Sequence, residues 1–144
     1  MSSPEDGSPE VRTISEPVKL SIPVQSDLIL LARLTAATVA SRVGFDVEEV
    51  DDLRLAVDEL CVLVADGVGA GRLNLTFITT GGGVEVVCTL DNLGTAVEHD
   101  GGEHGERDLS VRILDALVDE HSQEFENGQR RGWLRKRSVR HEAP

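Results

Sequence analysis

FDVEEVDDLRLAVDELCVLV, residues 45–64, carries a helix start and a helix interior in one run. Asp46 and Glu49 stand at the spacing of a capping box, with Asp in the Ser/Thr place, and Phe45 and Val50 stand where a hydrophobic staple clamps the first turn. Val50, Leu53, Val57, Leu60, Cys61 and Val64 recur at helical spacing and form one apolar face. Leu55, Ala56, Val62 and Leu63 spread apolar residues over the rest of the second half, so that half is predicted to be central and buried. Inside it lies Glu59. A carboxylate in such a place must be hydrogen-bonded, neutralised, or turned toward a cavity. Its bland reading is pairing with a backbone amide or with Arg54.

Upstream, Val18, Leu20, Ile22 and Val24 alternate as a strand with one buried face, and Pro23, which donates no hydrogen bond, marks an edge or a strand end. Ser26 is predicted to cap a helix running to about Arg42, with Leu28, Leu31, Ala32 and Val39 inward and Gly44 as its stop. Residues 1–17 hold three of the five prolines, four acids and one Arg without hydrophobic period, and read as a flexible arm. Downstream, Leu73, Leu75 and Phe77, then Val84, Val86, Cys88 and Leu90, alternate as two strands of a hairpin. Residues 92–107 hold four glycines and four acids and read as a mobile loop. A third helix is predicted from Asp108, with Ile113, Leu114, Leu117 and Val118 on one face. SQEFE and GWLRKRSV, turned near Asn127-Gly128, supply a closing hairpin. This order predicts a single α+β domain over residues 18–140, a two-layer sandwich with a mostly antiparallel sheet and three helices on one face.

The 144 residues include 14 Lys and Arg against 26 Asp and Glu, a net charge of −12, and 40% hydrophobic residues. The balance suits a soluble domain and disfavours direct contact with nucleic acid or anionic lipid. No apolar run reaches the length of a membrane span and no basic stretch precedes an apolar one at the N-terminus, which reads as cytoplasmic. Cys61 and Cys88 fall in apolar runs without metal spacing and read as buried reduced thiols. Glu98-His99-Asp100 with Glu103-His104 has metal-ligating chemistry but sits on a glycine loop without rigid spacing, so no metal site is assigned. Residues 130–140 hold six basic residues and no acid. They overlap a predicted strand in which Trp133 can face the core, and read as a solvated strand face or a partner for the acidic loop. The acids from Asp46 to Glu59 read as a solvated helix face that can also help dock a basic partner.

Asp52-Leu53-Arg54-Leu55-Ala56-Val57-Asp58-Glu59-Leu60-Cys61 resembles the N-box helix of the anti-sigma factor serine kinases of the RsbW and SpoIIAB type, members of the GHKL (Bergerat) HATPase superfamily. Val18-Lys19-Leu20-Ser21-Ile22-Pro23-Val24 resembles their first strand. The resemblance covers roughly residues 18–140 and is strongest over the first half. It implies ATP and Mg as cofactors, with Glu59 as the catalytic base that takes a proton from a partner's serine. It further implies a sigma factor and a STAS-type anti-anti-sigma factor as partners, a homodimer as the working unit, and sigma contact through the first strand and helix, where Arg33 and Arg42 are the candidate contact residues.

Position by position, the nucleotide equipment implied by the resemblance is altered. Leu63 stands where the family has the magnesium-holding Asn, and a leucine offers no oxygen to a hard cation. Asp91 takes the place of the adenine-reading Asp, or else caps the turn after its strand. Leu93 and Thr95 fill the glycine positions after it, with Gly94 shifted between them. Asp108 and Ser110 align with the glycine pair ahead of the third helix, where an Asp at the helix start would repel a triphosphate. Gly101, Gly102 and Gly105 are a possible displaced remnant, in a neighbourhood made negative by Glu103, Glu106 and Asp108. Two functions follow. One is an anti-sigma factor that sequesters an alternative sigma factor, with weak or lost ATP binding; the other is an active ATP-dependent kinase that phosphorylates an anti-anti-sigma factor. A weaker third is a ligand-sensing or dimerisation module with neither activity.

Overall fold

Strand β1 (Val18–Pro23) is the outer strand of the sheet and pairs antiparallel with β2 (Arg72–Thr80). Its position explains how Pro23 is accommodated, because a missing N–H costs least on an edge. The structure, a computed structural model, describes residues 16–91, 104–126 and 129–139. Three helices follow the chain as α1 (Ile29–Arg42), α2 (Val47–Val64) and α3 (His104–Leu117). The remaining strands are β3 (Gly83–Asp91), β4 (Glu120–Glu126) and β5 (Gln129–Arg137). All five strands join one antiparallel sheet in the order β1-β2-β3-β5-β4.

The alternation in sequence becomes two different sheet faces. Ile22, Leu73, Leu75, Phe77, Val84, Val86, Cys88, Leu90 and Leu134 are buried under the helices. α1 packs on α2, β2 and β3; α2 packs on β3 and β5; α3 packs on α2 and β4. This is the expected α+β sandwich. The β2–β3 hairpin turns through Gly81 and Gly82, and Gly82 takes φ +92°, a conformation that favours glycine. The second hairpin closes with Glu126 paired to Gln129, and the expected Asn127-Gly128 turn lies outside the described residues. Most of the expected arm and loop, residues 1–15 and 92–103, lies outside them too.

The start of α2 forms as its sequence requires. Asp46 Oδ1 accepts from the Glu49 N–H at 2.8 Å, and Glu49 Oε1 accepts from the Asp46 N–H at 2.8 Å. Glu49 also accepts from the Val139 N–H at 2.7 Å, so the same carboxylate ties the chain after β5 to the start of α2. Replacing Asp46 by Ala is expected to lower the unfolding free energy by about 1 kcal/mol, read from urea melts. An unchanged midpoint would show that the cap is not formed in solution.

Four expectations are corrected. α1 begins at Ile29 after Leu28, which makes no side-chain cap bond, so Ser26 is not its cap. The buried stripe of α1 is Ala32, Ala36, Val39 and Ala40, while Leu31 is exposed together with Leu30 and Leu34. Small alanines suit a face packed closely against other elements, and the longer leucines are left outside. α3 begins at His104 rather than Asp108, so residues 104–107 are helical, not loop. Trp133 lies opposite Val87 and out of phase with the buried Leu134. It therefore sits on the open face, where its indole N–H donates to Glu85 at 3.2 Å.

Candidate functional site

Glu59 sits in the last half of α2, and α3 crosses it. The Ser110 hydroxyl donates to Glu59 Oε1 at 2.7 Å, with Ser110 only 6% exposed. The half-buried carboxylate is therefore hydrogen-bonded, as its position demanded, but by a serine from α3. Arg54, the expected partner, pairs instead with Asp51 at 3.0 Å. One turn beyond Glu59, Leu63 is 3% exposed and presents only carbon. A second tie between α2 and α3 follows, with Arg107 Nε donating to Asp66 Oδ2 at 2.8 Å.

Val62, Leu63, Asp66, Arg107 and Ser110 line a cleft of about 20 Å³, room for about one water. Ligand pockets usually run to roughly 300–1,000 Å³. Arg130 of β5 lies at the end of α2. Its guanidinium donates to the carbonyls of Val64 and Asp66, the end of α2, and stacks 5.5 Å from the Phe125 ring. No basic residue lies in the last turn of α2, so β5 supplies the cation that the helix end favours. Burial pushes Arg130 below the ordinary guanidinium range, and Asp66 opposes that shift.

The other expected site residues are dispersed. Asp91 ends β3, exposed and opposite Arg72 in register. Gly94 lies outside the described residues, and Gly105 lies in the first turn of α3 rather than in a loop. Asp108 is exposed and lies in the second turn of α3, not at its start, so the expected repulsion at the helix N-terminus does not apply to it. Among the described residues there is no group of three or more potential metal-ligating side chains. Nor is any helix among them long and apolar enough to cross a membrane.

Arg33 and Arg42 sit on α1, away from the cleft. Arg33 Nε lies 3.8 Å from Asp58 Oδ1, and Arg33, Asp51, Arg54 and Leu55 line an open groove of about 430 Å³ between α1 and α2. Leu30, Leu31 and Leu34 on α1 and Leu55 on α2 are each more than 40% exposed, so this side of the helical layer is apolar with a few fixed charges. Arg42 is exposed in the last turn of α1.

Three of the six basic residues of the tract, Arg130, Arg135 and Lys136, have internal partners. Arg135 lies 3.5 Å from Glu85 and 3.3 Å from Glu120, and Lys136 reaches the Leu117 carbonyl at 2.8 Å and Asp52 at 3.9 Å. Its partners are thus β3, β4, α2 and α3. Sequence reasoning missed Asp66, Arg107 and Arg130. The usable signal was phase: Arg130 alternates with Gly132 and Leu134, which places it on the helix side of β5.

No protein-family model matches the chain. Among curated proteins it is 28% identical over 76 residues to the serine-protein kinase RsbW of Halalkalibacterium halodurans, covering 51% of this chain and 47% of that one. It is 26% identical over 119 residues to the serine-protein kinase RsbW of Bacillus subtilis strain 168, covering 72% of this chain and 74% of that one. It thus spans just under half of the first relative and about three quarters of the second. In fold it is similar to a crystal structure of the RsbU and RsbW domains of Rv1364c from Mycobacterium tuberculosis, with a TM-score of 0.64 and 16% identity, over 85% of this chain and 32% of that one. In sequence the chain is similar to RsbW-type serine-protein kinases, and in architecture to a structure that contains an RsbW domain.

Proposed function

We propose that the protein is an anti-sigma regulatory factor that sequesters an alternative sigma factor, is released by a STAS-type anti-anti-sigma factor, and has weak or lost ATP binding. The observation that carries this reading is the state of the cleft beside Glu59. Leu63 supplies no oxygen, the Glu59 carboxylate is engaged by Ser110, and the cleft that Leu63, Asp66, Arg107 and Ser110 line is about 20 Å³. The described residues therefore do not fit a magnesium-bound triphosphate, and no catalytic step is derived through one. Recognition falls to the outer face of α1 and the groove beside Arg33, where exposed leucines flank charged side chains. A homodimer is part of the same reading, by analogy with the family.

A second reading is an active protein serine kinase with Glu59 as the base. It gains support from α3: Asp108 is not at the helix start, so it does not occupy the N-terminus, where an anion is favoured. Calorimetry separates the two. The expected result is no heat at millimolar Mg-ATP, together with recovery of a sigma factor or a STAS-type protein in a pulldown from the native host. Micromolar nucleotide binding abolished by Asp91→Asn would establish the kinase reading, and a pulldown that recovers neither partner would remove the anti-sigma one.

A further inference from the structure

The two halves of α3 are held by different chemistry. Toward the C-terminus Leu114 is fully buried, the Leu117 carbonyl accepts from Lys136 Nζ at 2.8 Å, and Asp115 Oδ1 lies 2.6 Å from His121 Nε2 on β4. Just past the helix, the Asp119 N–H donates to the Arg135 carbonyl at 3.0 Å. Toward the N-terminus, Ser110 is the buried side chain among residues 107–113, Leu109 is 57% exposed, and Val111 and Ile113 are half-buried. This half is tied to α2 and its end by polar contacts: the Ser110 hydroxyl on Glu59 Oε1 at 2.7 Å and Arg107 Nε on Asp66 Oδ2 at 2.8 Å. Water can replace such ties, whereas nothing replaces the packing of Leu114.

We propose that the first half of α3 is an autoinhibitory latch on Glu59. Closed, the Ser110 hydroxyl occupies Glu59 Oε1 and denies that oxygen to a hydroxyl from any other molecule. Open, residues 107–113 leave α2 while Leu114 and the contacts beyond it hold the second half in place. The freed Glu59 carboxylate and the apolar Leu63, which lines the cleft with Ser110, then face solvent together. Local opening belongs to segments with few buried apolar side chains, and the uneven burial along α3 puts it in this half. The latch acts on the carboxylate and not on a nucleotide, so it stands whichever of the two functions holds.

The test is native-state hydrogen exchange on the full chain, read amide by amide, together with carboxyl labelling by a water-soluble carbodiimide and glycine ethyl ester, mapped by mass spectrometry. In the parent, amides 108–113 are expected to exchange through an opening insensitive to low urea, and amides 114–117 through a larger one that urea promotes. Ser110→Ala should speed exchange at 108–113 and labelling at Glu59 roughly ten- to a hundredfold, the worth of a lost hydrogen bond to a charged group, and leave 114–117 as in the parent. Arg107→Gln should act in the same direction. Should Ser110→Ala not fold, the parent pattern alone decides. Equal acceleration along the whole of α3, unchanged labelling of Glu59 in Ser110→Ala, or a parent in which 108–113 open only with global unfolding would each overturn the proposal.

Discussion

Replacing Gly132 by valine is expected to lower the unfolding free energy by about 2–3 kcal/mol, seen as a lower urea midpoint at an unchanged slope. The missing Cβ at this position would lie 2.7 Å from Leu60 Cδ1, 3.0 Å from Val64 Cγ2 and 3.1 Å from Leu60 Cγ. Leu60 and Val64 are fully buried, so neither can swing into solvent. Gly132 is not among the glycines at positive φ, and the effect comes from space rather than backbone conformation. Combining Gly132→Val with Leu60→Ala should therefore cost less than the sum of the two single changes, because the deletion makes room for the addition. Strict additivity, or a Gly132→Val variant as stable as the parent, would mean that α2 does not rest on β5 here.

Arg130→Ala is expected to cost about 3 kcal/mol by removing two charge-assisted bonds to the end of α2. Arg130 is 8% exposed, and its guanidinium is the described cation at the Val64 and Asp66 carbonyls. Without it, two carbonyls at a buried helix end lose their donor, and the Asp66 carboxylate keeps Arg107. Both bonds come from one nitrogen, Nη1, which an ammonium can imitate, but Arg130→Lys should recover only part of the loss because lysine lacks the planar guanidinium that stacks on the Phe125 ring. Faster amide exchange confined to the last turn of α2 would accompany the alanine variant. A full rescue by lysine would show that charge alone, without the stacked guanidinium plane, holds the helix end.

The local and periodic features were legible in the residues themselves. Asp46 and Glu49 reach each other along one turn of backbone, so their capping box depends on nothing distant. The alternation of Leu73, Leu75 and Phe77 against Val84, Val86 and Cys88 likewise requires one buried face, whatever covers it. The start of α3 was missed because charged residues and a glycine precede Leu109, and an amphipathic stripe gives no sign of polar turns added ahead of it. The inward side of α1 was read correctly at Ala32 and Val39 and wrongly at Leu31, because hydrophobicity favours the larger residue whereas the buried positions also include the small Ala36 and Ala40.

The candidate site divides in the same way. Glu59 could be singled out from one dimension, because a carboxylate within an apolar helix half must have a partner or a cavity. Its partner could not, since Ser110 arrives from another helix 51 residues away. Arg107 on Asp66 and Arg130 on the end of α2 are likewise contacts across long separations. By itself the sequence determined the class of fold, the cap and buried face of α2, and the absence of a metal-binding oxygen at Leu63. Only the tertiary structure decided that α3 lines the cleft beside Glu59 and that Arg130, Arg135 and Lys136 of the basic strand have internal partners. Periodicity and capping are short-range consequences of backbone geometry, whereas the identity of a buried polar group's partner depends on which elements pack together.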